Sequence, residues 1–327
     1  MKYSYFSSPS SHNTNNPLTS SRANWSDEHY TDANKSLVSF SDDKEYEFIK
    51  CSWNGCKGTR GGAIVCDGNR KSLTLNQCSF DNCASQTVRS GTNGYYAGGV
   101  SVVSLSSLVV KNSLFHKCIS TQIENNNAAG GLFASYVTST ISIRQNDFIL
   151  CEGGASGGGA FIEKCQSSNV GIETVRDCRA VGCKGTTTSP DGGGICLSEN
   201  IYTIGCSNCL LAHCEASVIN GGSGGGIDIL VTSVNPGSLL IPIVFCFFHD
   251  NSASQLESGN DVRIRQSPYT TTNPFLHCFS TSEETRALYY ISGLYYPIDN
   301  WLPQGSIYFL NLSTLHGTVT IHRSVQH

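Results

Sequence analysis

FILCEGGASGGGAFIE, residues 148–163, holds both halves of the pattern that decides the fold. Its first half is an aromatic-x-x-Cys block running from Phe148 to Cys151. Its second half is a glycine pair, Gly158 and Gly159, followed by alternating apolar residues. Both halves recur. The glycine-pair element stands at GGAIV (61–65), GGVSV (98–102), GGLFA (130–134), GGAFI (158–162), GGICL (193–197), GGIDI (225–229) and, degenerated, GNDVRI (259–264). The other block, C-x-[aromatic or aliphatic]-x-x-C, is complete at Cys51/Cys56, Cys78/Cys83, Cys178/Cys183 and Cys209/Cys214. It persists in part at Phe115/Cys118, Phe148/Cys151, Phe248/Asn251 and Phe275/Cys278. Its final position falls at 56, 83, 118, 151, 183, 214, 251 and 278, a repeat of about 32 residues.

Aligned on that final position, apolar columns alternate with polar ones. Ten residues upstream stand Tyr46, Leu73, Leu108, Ile141, Glu173, Ile204 and Ile241; eight upstream stand Phe48, Leu75, Val110, Ile143, Val175, Cys206 and Ile243. Period two in short runs bounded by Gly, Asn and Ser is a strand signal, and no segment holds a helical apolar period over ten positions. About three short strands per repeat follow. An all-strand unit that cannot bury its apolar face alone stacks its copies, so the expected fold is all-β: a single-stranded right-handed parallel β-helix, a solenoid of about eight coils. Coils spaced by roughly 4.8 Å would give a rod on the order of 38 Å long.

In the glycine-pair strand, the first and third residues after the pair are expected to face inward. The second (Ile64, Ser101, Phe133, Phe161, Cys196, Asp228, Arg263) and fourth (among them Ser135, Glu163 and Ser198) are expected to face outward. The glycine pairs should supply corners with positive φ or close approach between coils. Residues 1–36, rich in Ser, Asn and Thr, read as a polar leader. The array spans 37–278, and the aromatic-rich segment 279–327 reads as a C-terminal cap over an otherwise open strand edge. Variable segments such as 84–97, 119–129 and 215–223 should project from one edge.

Composition narrows the function. A net charge of −4, with 21 Lys+Arg spread thinly, gives no basic stripe for nucleic acid. The N-terminus has no apolar signal-peptide core, and no run approaches the 18 apolar residues of a membrane span. The sequence thus reads as a monomer or as part of a longer chain. Eleven of the sixteen Cys fill repeat columns, where stacked Cβ atoms are too far apart for unstrained disulfides; buried thiols acting as small hydrophobes are expected. Cys206, Cys209, His213 and Cys214 have zinc-like spacing, but the repeat accounts for the cysteines, so no metal and no cofactor is assigned.

Carboxylates for polysaccharide cleavage are sparse. Glu163 and Asp228 are the acidic candidates on the outer face, two coils and two residues apart and so about 12 Å between backbones, wider than a glycosidase pair, and Asp228 is expected beside Arg263. Asp67, Asp177, Asp191, Asp261 and the histidines share no evident column and read as turn residues. GGSGGG at 221–226 is a repeat corner with no helix behind it, not a dinucleotide loop. Sequons at Asn24, Asn34 and Asn311 are no more than chance supplies in so Asn-rich a chain.

With the GG-[AVLI]-x-[AVIL] and F-x-x-C blocks in hand, residues 45–280 resemble the pectin-lyase-like right-handed parallel β-helix superfamily. Within it, they look like the polymorphic outer-membrane-protein repeats, which pair GGAI with F-x-x-N, and their surface-protein relatives in protists. GGAI stands at 61–64, and F-x-x-N appears once, at Phe248 to Asn251. The resemblance implies a non-enzymatic adhesive or antigenic rod at a cell surface, with a host protein or glycan as partner. An outer ladder of Ile64, Phe133 and Phe161 is the expected contact face. The alternative is a carbohydrate-active enzyme of the same fold, although the catalytic elements of pectate lyases and polygalacturonases have no match here.

Overall fold

The structure is a computed structural model. It describes residues 22–32, 38–40, 44–68, 72–85, 95–121, 128–154, 156–165, 174–186, 192–198, 205–216, 222, 224–231, 243–254, 260–266, 275–276, 278–280, 288–291, 294–297, 306–310 and 321–325. Every named element is a β-strand, and the strands wind as a parallel solenoid.

One coil shows the plan: Val100–Val103, Ser107–Lys111, Leu114–His116 and Ile119–Ser120 follow one another around the core. Each adds a rung to its own sheet. The glycine-pair sheet has eight strands, from Val38–Phe40 to Val262–Gln266; the alternating sheet has nine, from Arg22–Ser26 to Phe275–Leu276. The aromatic sheet also has nine, from His29–Thr31 to Phe279–Ser280, and a short-stranded sheet has seven, from Lys57–Gly58 to Ser252–Ala253. The fourth, two-residue strand was not expected; it is too short to carry an alternating signal.

Two boundaries move. Arg22–Ser26 pairs in parallel with Glu45–Ile49, and His29–Thr31 with Ser52–Asn54, so part of the expected leader is a rung of the solenoid. The long sheets therefore hold nine strands where eight coils were expected. At the other end, Phe279–Ser280 still pairs with the solenoid, while Leu288–Ile291 with Leu294–Pro297 and Ser306–Leu310 with Ile321–Val325 form antiparallel hairpins. Asn34, Leu37, Asp191, Trp301 and Asn311 lie outside the described residues.

Stacking equivalent side chains in register explains the core. Rings of Trp53, Phe80, Phe115 and Phe148 stack at centroid distances of 4.7, 4.7 and 5.0 Å, nearly parallel, and Ala180, Leu211 and Phe248 continue the column. Such offset contacts add to burial about 0.5–1.5 kcal/mol per pair. Twelve cysteines form two further columns, and all sixteen are buried thiols. Each column thiol points at backbone carbonyls: Cys151 Sγ reaches Phe115 O on the previous rung, Cys183 Sγ reaches Phe148 O and Cys214 Sγ reaches Ala180 O. Asn251 takes the same role on the next rung, donating through Nδ2 to Leu211 O and accepting from Cys214 N. F-x-x-C and F-x-x-N are thus two solutions to one requirement, a donor aimed at the rung below. Asn146 does likewise in the other column, donating to Val110 O. That column runs Cys51, Cys78, Ser113, Asn146, Cys178, Cys209, Cys246 and Cys278, so Cys278 belongs here and not with Cys56 and Cys83.

Corners turn on left-handed residues, and these are not the glycine pairs. Among the described residues, seventeen non-glycine residues have positive φ, and they stack in three columns. One holds Asp27, Lys50, Gln77, Asn112, Gln145, Asp177, Asn208 and Phe245; a second Asp32, Asn82, Lys117, Leu150, His213 and Asp250, with Gly55 and Gly182 between them; a third Ser104, Tyr136 and Lys164. Fifteen of them donate their N–H to the next rung, as Lys50 N to Asn76 O at 2.9 Å and His213 N to His249 O at 2.8 Å. That bond holds a conformation non-glycine residues otherwise avoid. The glycine pairs instead permit close approach. A Cβ on Gly131 would lie 2.6 Å from Gly159 O, and one on Gly194 2.6 Å from Gly226 O.

Candidate functional site

The glycine-pair sheet was expected to present Ile64, Phe133 and Phe161 to solvent. The structure places none of them there. Val100 pairs with Ile64, not with Ala63, so the first copy of the motif is shifted by one: Gly62 and Ala63 are the equivalents of Gly98 and Gly99. Ile64 therefore faces the main core, fully buried, and Val65 holds the outward position. Phe133 and Phe161 do point outward but are 0% and 3% exposed. A second layer covers them. Tyr96–Ala97 and Ala128–Ala129 pair in parallel across this face, and Ala97 and Ala129 pack with Phe133, Phe161 and Cys196 in a cluster of their own. These segments were expected to project from an edge; their described ends lie flat on the sheet, because a pair of apolar rings in the outward column recruits cover.

What reaches solvent is the rim of that cover. Tyr95 stacks on Phe133 at 5.2 Å and meets the ring of Tyr136 edge-on at 6.5 Å. Lys164 Nζ lies 5.7 Å from the centre of the Tyr136 ring, a cation over an aromatic face. Burial, reinforced by Tyr136 and Glu163, pushes the Tyr95 hydroxyl above its ordinary pKa. Beneath them Glu163, 3% exposed, accepts from Ser135 Oγ at 2.9 Å, with Lys164 Nζ 3.9 Å away. Tyr136 (φ 54°) and Lys164 (φ 48°) occupy successive corners, and Tyr136 is 40% exposed.

The remaining expected acids separate. Glu163 and Asp228 are two rungs and two residues apart in register, as expected, but both are buried rather than displayed. Asp228 sits directly beside Arg263 on the adjacent rung. Asp261 is not a solvated turn residue: it is fully buried, accepts from Asn251 Nδ2 at 2.9 Å and from the Ser280 hydroxyl, and fills the glycine column that Gly226 leaves open. Asp67 pairs with Arg60 at 2.9 Å, and Asp177 is a corner residue that accepts from Asn208 Nδ2 at 2.6 Å. Cys206, Cys209 and Cys214 are buried in the core, while His213 beside them points outward at a corner.

Histidines do share columns. His116 and His249 lie in one column with Asp81, and His116 Nδ1 meets Asp81 Oδ1 at 2.7 Å. His213, His249 and Asp250 converge at another point, their ligand atoms all within 4.8 Å of one another. Sequence reading missed this because the residues sit 36 and 37 positions apart; the signal was that 213 and 250 are each one residue before the block's final position, Cys214 and Asn251. Among the described residues no helix is long and apolar enough to cross a membrane. Comparison with family models, with curated proteins and with solved structures gives no match for the chain.

Proposed function

We infer that this chain is a non-enzymatic β-helical binding rod, of the surface or adhesin type implied by its resemblance to the pectin-lyase-like superfamily and the polymorphic outer-membrane-protein repeats. The supporting observation is the Tyr95, Tyr136 and Lys164 cluster. It displays a partly exposed aromatic face, a cation and a hydroxyl-bearing rim from a rigid sheet, with a tyrosine at a corner where Ser104 stands on the previous rung. Aromatic faces flanked by charged donors suit the apolar face and hydroxyls of a sugar ring, so the ligand class is a glycan. Leu150 and Phe245, 49% and 58% exposed at the other two corner columns, extend the same habit of outward apolar display.

Glycan-array binding of the reduced, purified chain tests the reading, with Tyr136→Ser and Lys164→Ser as variants. Both should fold normally and lose binding by 10-fold or more. Retained binding in both would overturn the assignment of this cluster, and cleavage of polyuronides or pectins by the parent chain would favour the enzymatic alternative.

A further inference from the structure

We propose that His213, His249 and Asp250 form a binding site for a single divalent cation of borderline softness, zinc above all. His213 and Asp250 are corner residues on successive rungs, with φ of 53° and 47°, so both side chains are thrown outward at one point of the perimeter. His249 ends the strand Phe247–His249, immediately before that corner. The backbone bond from His213 N to His249 O, 2.8 Å, fixes the two rungs against each other. His213 Nδ1 and His249 Nε2 each lie 3.9 Å from Asp250 Oδ2, and the imidazole rings cross at 73° with centroids 4.9 Å apart.

Those separations decide between a hydrogen-bonded group and a ligand set. At 3.9 Å neither imidazole is hydrogen-bonded to the carboxylate. Two donors each about 2.0–2.2 Å from one zinc ion in a tetrahedral shell stand roughly 3.3–3.6 Å apart, so small side-chain rotations bring all three onto one ion. The same protein supplies the contrast: His116 and Asp81, also on adjacent rungs, close directly to 2.7 Å and have no third donor among the described residues. Two imidazoles and one carboxylate favour zinc, nickel, copper or cobalt over calcium or magnesium. With three protein donors on an exposed perimeter, the remaining position is left to water or to a donor from a bound partner. The ion would also clip two rungs together near the C-terminal end of the winding.

The test uses the full chain, kept reduced and stripped with a chelator, titrated calorimetrically with zinc and spectroscopically with cobalt. Fold-neutral variants come from the columns themselves: Ala212 precedes His249 in its column, and Asn82 occupies the corner column of His213 and Asp250. The parent should bind one ion per chain, raise its melting temperature on zinc addition, and give a cobalt spectrum without thiolate-to-metal charge transfer. His249→Ala, His213→Asn and Asp250→Asn, each folded by circular dichroism, should weaken binding by more than about 100-fold, beyond the 10–100-fold of outer-shell changes. Unaltered affinity in all three variants, a thiolate charge-transfer band, or no saturable binding by the parent would each overturn the proposal.

Discussion

Alanine at Gly158 should cost far more than alanine at Gly182, although both replace a glycine by the best helix former and neither touches a side-chain cluster. At Gly158 the added methyl runs into the backbone of the next rung: the carbonyl of Gly193, the amide nitrogen of Lys184, and Lys184 O at 2.7 Å. Relief requires the rungs to part by about an ångström. Three bonds cross that seam, Gly158 N to Gly192 O at 3.3 Å, Gly159 N to Gly194 O at 2.8 Å and Lys184 N to Cys151 O at 2.9 Å. Each buried group left unpaired costs about 1–3 kcal/mol, so the expected loss over three bonds is about 3–9 kcal/mol, a large part of a domain's 5–15. At Gly182 the φ of 62° disfavours alanine, but the nearest atom is Leu150 Cδ2, the end of an exposed side chain, and non-glycine residues already fill this column. About 1 kcal/mol is expected there. Urea unfolding of the reduced chain, followed by fluorescence of buried Trp53 and by far-ultraviolet circular dichroism, measures both. A Gly158→Ala variant within 1 kcal/mol of the parent, or equal to Gly182→Ala, would refute the close-approach account of the glycine pairs.

Phe148→Ala removes a fully buried ring from the middle of the aromatic column and should cost about 3–5 kcal/mol in the same assay; a loss below 1 kcal/mol would mean the stack is not packed as described. Burial pushes the Cys165 thiol up to about 12 and raises Cys118 and Cys178 well above their ordinary value, so the native chain at pH 8 should leave these thiols unalkylated by iodoacetamide and expose all sixteen only on unfolding. Mass spectrometry showing rapid native labelling of Cys165 would contradict its placement. Burial also raises the Tyr30 hydroxyl, with Glu28 adding to it, to about 12. The fold holds the protonated form, so this group's contribution is complete below about pH 10, the ordinary tyrosine value, and is lost as pH rises through 12. The phenolate difference spectrum between the parent and Tyr30→Phe should titrate near 12; a midpoint near 10 would sink the assignment.

The winding was legible because its cause is periodic: one rung must repeat the last, and columns such as Trp53, Phe80, Phe115 and Phe148 survive in the letters. Failures arose where a different residue met the same physical need. Gly61–Gly62 matched the later pairs by letter, while the rungs aligned on Gly62 and Ala63, because only backbone clearance was being selected. Asn146 and Ser113 went unseen as cysteine equivalents because what the column keeps is a polar bridge between rungs, not sulfur. The first described rung hid in a polar stretch because only two of its residues, Trp25 and Tyr30, are large apolar groups packed on the core, where they stack on Phe48 and Trp53. The exposed ladder failed for a reason no single strand carries: Phe133 and Phe161 do point outward, but Ala97 and Ala129, just ahead of two glycine pairs, roof them over.

The three corner columns carry a consequence for how such a rod can change. A corner residue is anchored by its main chain to the rung above, so its side chain is nearly irrelevant to the winding, and Asp, Lys, Leu, His, Phe and Tyr all stand there. Drift at these positions would repaint three parallel lines along the shaft while the interior stays as it is, letting one scaffold exchange its outer surface without having to learn to fold again.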